Sequence, residues 1–87
     1  MRPSLIVPDP LPPLPAEPRP GRYRHYKGRE YRVIGVARHS ETLEAVVVYQ
    51  PLYGEGGLWV RPAAMFTAQV TLPDGTRTPR FGWVAET

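Results

Sequence analysis

Glu44-Ala45-Val46-Val47-Val48-Tyr49-Gln50 runs into Pro51 and is the most strand-like stretch of the chain. Three consecutive valines and a tyrosine favour a pleated backbone, where branched and aromatic side chains pack best, and Pro51 ends the run because it cannot donate to a ladder. Along such a strand Val46 and Val48 fall on one face and Ala45, Val47 and Tyr49 on the other. Both faces are therefore apolar. A strand with one wet face alternates apolar with polar residues, so this one needs cover on both sides.

Working upstream, Glu30 to Arg38 (EYRVIGVAR) reads as a longer strand of the same kind, with Tyr31, Val33 and Ala37 opposite Ile34 and Val36, and with Gly35 predicting a bulge or bend. His39-Ser40-Glu41-Thr42 is the polar turn between the two. Tyr23 to Tyr26 forms a short first strand, followed by the turn Lys27-Gly28-Arg29. Downstream, Gly54-Glu55-Gly56-Gly57 turns into Leu58 to Arg61, and Pro62 to Phe66 is a single helical or 3₁₀ turn with proline at its start. Thr67 to Leu72 and Arg77 to Val84 can pair as a hairpin about Pro73-Asp74-Gly75. No stretch carries the 3.6-residue period of an amphipathic helix. Five or six short antiparallel strands with one helical turn predict an all-β domain, a small SH3-like barrel. A sandwich needs ~100 residues, and an OB-like barrel is the structural alternative.

Eight of the twelve prolines lie between Pro3 and Pro20, so residues 1–20 form a proline-rich arm and residues 21–87 the barrel domain. In PDPLPPLPAEPRP (residues 8–20) the recurring proline fixes φ and removes donors, which predicts a disordered, polyproline II-like tether. Pro10 with Pro13, Pro12 with Pro15 and Pro15 with Pro18 have the PxxP spacing that aromatic grooves bind. Charges cancel within the arm (Arg2 and Arg19 against Asp9 and Glu17), so the domain carries the whole net charge of +3. The absence of cysteine excludes disulfides, a thiolate zinc site and a thiol nucleophile. Leu5-Ile6-Val7 is the longest N-terminal apolar run and is too short for a signal peptide or membrane span, which sets a cytoplasmic expectation without membrane contact.

The strings YRHYKG (Tyr23 to Gly28), ARHSET (Ala37 to Thr42), VVYQPLYG (Val47 to Gly54), LWVRP (Leu58 to Pro62), MF (Met65, Phe66) and PRF (Pro79 to Phe81) occur in this order. In these the chain resembles a bacterial family, the domain of unknown function numbered 1653, over about residues 21 to 81. The resemblance implies an SH3-like barrel and no assigned activity, and the arm lies outside it.

The inventory for catalysis is thin. Asp9 sits in the arm and Asp74 in a turn, and His25 and His39 have no triad spacing. His39 with Ser40 and Glu41 or Glu44 reads better as a self-bonded turn than as a base, hydroxyl and carboxylate. His25, His39 and Glu41 lack a metal-ligand spacing. The expectation is a non-enzymatic binding module with no cofactor or metal, whose partner is another protein or a second copy. The alternative is a nucleic-acid-binding barrel, since residues 22–38 interleave cations with aromatics (Arg22-Tyr23-Arg24-His25-Tyr26-Lys27, then Arg29, Arg32 and Arg38). Alternation in Leu58-Trp59-Val60-Arg61 pairs Trp59 with Arg61, and if Leu58 and Val60 are core those two make an exposed contact patch. Tyr23, His25, Arg38, His39, Trp59 and Arg61 are the candidate ligand-binding residues.

Overall fold

A computed structural model describes residues 11–87. Seven strands and one helical turn follow in order: β1 (Gly21–His25), β2 (Glu30–Arg38), β3 (Ala45–Pro51), β4 (Trp59–Pro62), α1 (Ala63–Phe66), β5 (Gln69–Thr71), β6 (Arg77–Pro79) and β7 (Phe81–Ala85). A five-stranded antiparallel sheet has the order β4-β3-β2-β1-β7, and β5 and β6 form a separate hairpin. The all-β fold with one helical turn is thus observed, with seven strands among the described residues where the sequence predicts five or six. The main ladder stays open, since β4 and β7 are its two edges.

One face of the sheet carries the core. Val47 and Val33 lose all but 0% and 1% of their surface, and Tyr23, Tyr31, Tyr49 and Phe81 pack with them. Helix α1 covers this face by placing Ala63 and Phe66 into the same cluster. Pro62 starts the turn with φ of −53°, which its ring fixes in advance. Thr67 ends it, its amide and its hydroxyl both donating to the Ala63 carbonyl at 3.1 and 3.0 Å. Phe66 stacks on Phe81 with centroids 4.1 Å apart and rings 3° from parallel, so the helical turn and β7 meet at the centre of the core.

Two details differ from simple alternation. In β2 the register shifts between Val33 and Gly35, so Val36 pairs with Val47 and Ala37 with Val46. The bulge expected at Gly35 reverses the faces beyond it, placing Val36 rather than Ala37 on the core side. Arg77 to Val84 is also not one strand. At Arg80 the amide still donates to the Ala68 carbonyl at 2.9 Å, but the carbonyl accepts from the Tyr26 amide at 2.9 Å. The chain there leaves the hairpin and continues as β7 along β1.

Leu5, Ile6 and Val7 lie outside the described residues. Residues 11–20 form neither strand nor helix, as their prolines require, and several of them contact the domain. Pro18 is buried, Arg38 Nη2 donates to the Pro12 carbonyl at 2.7 Å, and the Tyr23 hydroxyl donates to the Arg19 carbonyl at 2.9 Å. The Arg19 guanidinium stacks 3.7 Å from the Trp83 ring. Among the described residues no helix is long and apolar enough to cross a membrane.

Candidate binding cleft

Where β2, β3 and β4 end beside the Tyr53–Gly57 loop, the sheet opens into a cleft of about 340 Å³ lined by Tyr31, Tyr49, Pro51, Tyr53, Trp59 and Arg61, with the loop residues Gly54 to Gly56 at its rim. Register brings these side chains together. Tyr31 pairs with Pro51, Tyr49 with Trp59 and Val47 with Arg61, and paired residues share a face. Tyr31 stands edge-on to both Tyr49 and Tyr53, each at 5.6 Å, and its hydroxyl lies 2.9 Å from that of Tyr53. Burial, then the hydrogen bond with Tyr53, pushes the Tyr31 phenol up to about 12, so it stays protonated and able to donate throughout the neutral range.

Arg61 is fixed inside this cleft. Its Nε donates to the Tyr49 hydroxyl at 2.8 Å, and its guanidinium lies 5.7 and 5.5 Å from the Tyr49 and Phe81 rings. The Arg29 guanidinium stacks over the Tyr53 ring at 4.2 Å from its centroid. Trp59 is 59% exposed and bonds the Gly56 carbonyl through Nε1 at a long 3.4 Å.

The sequence profile of a family described as protein of unknown function (DUF1653) matches residues 21–83. The chain belongs to the DUF1653 family. The solved crystal structure of a protein belonging to the same family from Bordetella bronchiseptica is similar, at 41% identity and a TM-score of 0.73 over 82% of this chain and 92% of that one. No curated protein matches the sequence.

The DUF1653 domain scatters the six sequence-predicted site residues and brings only two of them together. Trp59 and Arg61 come together in the cleft, as the alternation predicted. Leu58 and Val60 are nevertheless not core, being 68% and 60% exposed, because the register puts Arg61 opposite core Val47 and Val60 opposite Val48 on the other face, at the edge strand of the sheet. Tyr23 is a core residue, 6% exposed, whose hydroxyl is spent on Arg19. Arg38 holds the arm through Pro12, and His39 caps its own turn, Nδ1 accepting from the amides of Glu41 and Thr42 at 3.0 and 3.3 Å. The sequence reading missed Tyr31, Tyr49, Pro51 and Tyr53. The signal was present, since Tyr31, Tyr49 and Pro51 share a strand face with the core, but the cleft exists only because the loop returns Tyr53 over Tyr31.

His25 packs edge-on against Phe81 at 4.9 Å, and its Nδ1 accepts the Lys27 amide at 3.1 Å. Burial lowers its pKa below the usual histidine value, and the positive charges of Arg61, Arg80 and Lys27 add to this. An unfolded chain takes up that proton near pH ~6.5, whereas the folded one does so only at lower pH. Between the two values the unfolded state binds more protons, so stability falls as pH falls and the contribution is complete above pH ~6.5. Urea midpoints should therefore drop between pH 7 and 5.5, and His25→Gln should flatten that drop. Equal slopes in the two proteins would show that His25 has no part in it.

Proposed function

We propose that this protein is a non-enzymatic binding module whose contact surface is the aromatic cleft. The observation that carries this reading is the convergence of Tyr31, Tyr49, Tyr53 and Trp59 with Arg61 on one concave surface. These residue types supply most of the energy at protein contacts, because a rigid ring buries a large area at small entropic cost and arginine adds directed bonds. A cleft is also where an extended chain can be gripped on two sides. The basic-aromatic segment 22–38 lends less support to a nucleic-acid role. Tyr23 is in the core and Arg22 and Arg24 both pair with Glu30, at 2.8 and 2.7 Å.

Trp59→Ala separates binding from folding. A residue this exposed should cost under about 1 kcal/mol in denaturant titrations, in contrast to the ~3 to 5 kcal/mol of a buried tryptophan. Selection of displayed random peptides on the full chain should enrich clones that the Trp59→Ala protein no longer captures. Enrichment that ignores the substitution, or none at all, would remove the cleft as the binding surface.

A further inference from the structure

We infer that the ligand of the cleft is an extended proline-rich segment of a partner polypeptide that carries a carboxylate, with its proline rings on the exposed Tyr53 and Trp59 side chains and its carboxylate on Arg61. The inference rests on the cleft being the contact surface and adds the chemistry of what enters it.

Hydrogen-bond chemistry favours a proline-rich ligand. The Tyr49 hydroxyl accepts from Arg61 and keeps its own hydrogen to give away. Tyr31 and Tyr53 share one hydrogen between two hydroxyls, which leaves the other free. Trp59 Nε1–H makes only a long bond to Gly56 and can exchange it. These side chains offer donors, and a proline-rich chain is the complementary partner. Each proline lacks an N–H and retains a carbonyl, so the segment arrives rich in acceptors, and polyproline II geometry leaves those carbonyls free of internal bonds. The segment is also stiff before it binds, which keeps the entropic cost of ordering low.

Charge favours a carboxylate on that segment. Among the described residues the ion pairs are those of Glu30 with Arg22 and Arg24. Glu55 lines the cleft without closing a pair to Arg61. Arg61 is anchored at Nε, so its two terminal nitrogens have no partner among the described residues. A half-buried guanidinium held in one orientation is prepared for two parallel bonds to a carboxylate, and Arg29 adds a second positive charge beside Tyr53.

Titration calorimetry of the full chain with the end-blocked peptide PDPLPPLP, the sequence of residues 8–15, tests this chemistry. Replacing its single aspartate by asparagine should weaken binding at least tenfold in the wild-type protein and leave it unchanged in Arg61→Gln, while Trp59→Ala should abolish binding of both peptides. Equal affinity of the two peptides for the wild type would overturn the carboxylate assignment. Tighter binding of an octathymidylate than of the aspartate peptide would overturn it in favour of nucleic acid. Self-association of the full chain that Arg61→Gln abolishes would make a second copy the occupant instead of a partner. If displayed-peptide selection yields Trp59-dependent clones lacking proline and acid, the ligand chemistry falls while the cleft stands as the surface.

Discussion

Phe66→Ala is expected to leave the chain without a cooperative unfolding transition at 25 °C. The ring is 1% exposed and is the largest fully buried side chain. It stacks on Phe81 at 4.1 Å and lies 5.6 and 6.0 Å from the rings of Tyr23 and Tyr49. Truncating a buried phenylalanine costs ~3 to 5 kcal/mol, from lost transfer energy and from the cavity left behind. A domain this small has roughly 5 kcal/mol to lose, so the substitution consumes most of its stability. The effect should be large because α1 has only four residues and attaches to the sheet mainly through Phe66 and Ala63. Losing the ring frees the helical turn as well as opening a cavity. Phe66→Leu, which keeps most of the volume, should retain a cooperative urea transition at a lower midpoint. A Phe66→Ala protein with a midpoint close to wild type would mean that the cap of α1 is dispensable.

The parts of the fold that sequence reveals are those fixed by neighbours along the chain. Valine-rich β3, the Pro51 stop, the proline at the start of α1 and the turn at Asp74 are local features. In the last of these, Asp74 accepts from the amide and hydroxyl of Thr76 at 2.9 and 2.6 Å, and the shape is set by those few residues alone. What sequence leaves open is pairing over long separations. Arg77 to Val84 has a strand-like composition throughout, and nothing in it marks Arg80 as the point where the partner changes from β5 to β1. That switch comes from Phe81 entering the core, an event that depends on Phe66 and Tyr31 being there to meet it.

The candidate site follows the same division. Alternation correctly joined Trp59 with Arg61, yet it could not say which of the two faces meets the core, because that depends on the register of β4 against β3, which sets Arg61 opposite Val47 and Val60 on the other face of an edge strand. The tyrosines of the cleft look like ordinary core residues in sequence, and Tyr31 and Tyr49 are indeed buried, at 8% and 5% exposure. They are also site residues because they line the cleft, where the Tyr31 hydroxyl meets that of Tyr53 and the Tyr49 hydroxyl accepts from Arg61. The contacts of the arm have a related origin. Proline forbids a ladder but does not forbid packing, and the exposed ring of Trp83 and the reach of Arg38 give residues 12–19 something to lie on.

Gly21→Ala is expected to destabilise the domain by several kcal/mol although it adds only one methyl group. Gly21 begins β1 with φ of +150°, a region that side-chain-bearing residues enter at a cost of ~1 to 3 kcal/mol. Space is short as well. A methyl group there would lie 2.5 and 2.6 Å from the Trp83 ring carbons and 2.9 Å from the Ala85 carbonyl oxygen. The backbone oxygen belongs to β7 and cannot move without breaking the β1–β7 ladder, so Trp83 must swing away. That movement removes the Tyr23–Trp83 edge contact, at 5.4 Å, and the surface on which Arg19 stacks. The arm should therefore loosen together with the strand. Hydrogen exchange should report faster exchange at β7 amides, and the Trp83 emission should shift to the red in a Trp59→Phe background. Trp83→Ala in the Gly21→Ala protein separates the two causes. If crowding dominates, the double variant should be more stable than additivity of the single changes predicts, and if backbone conformation dominates, the two losses should simply add. A Gly21→Ala protein with wild-type stability would show that β1 can start with an ordinary φ, and that the close approach of Trp83 to Gly21 is incidental to the fold.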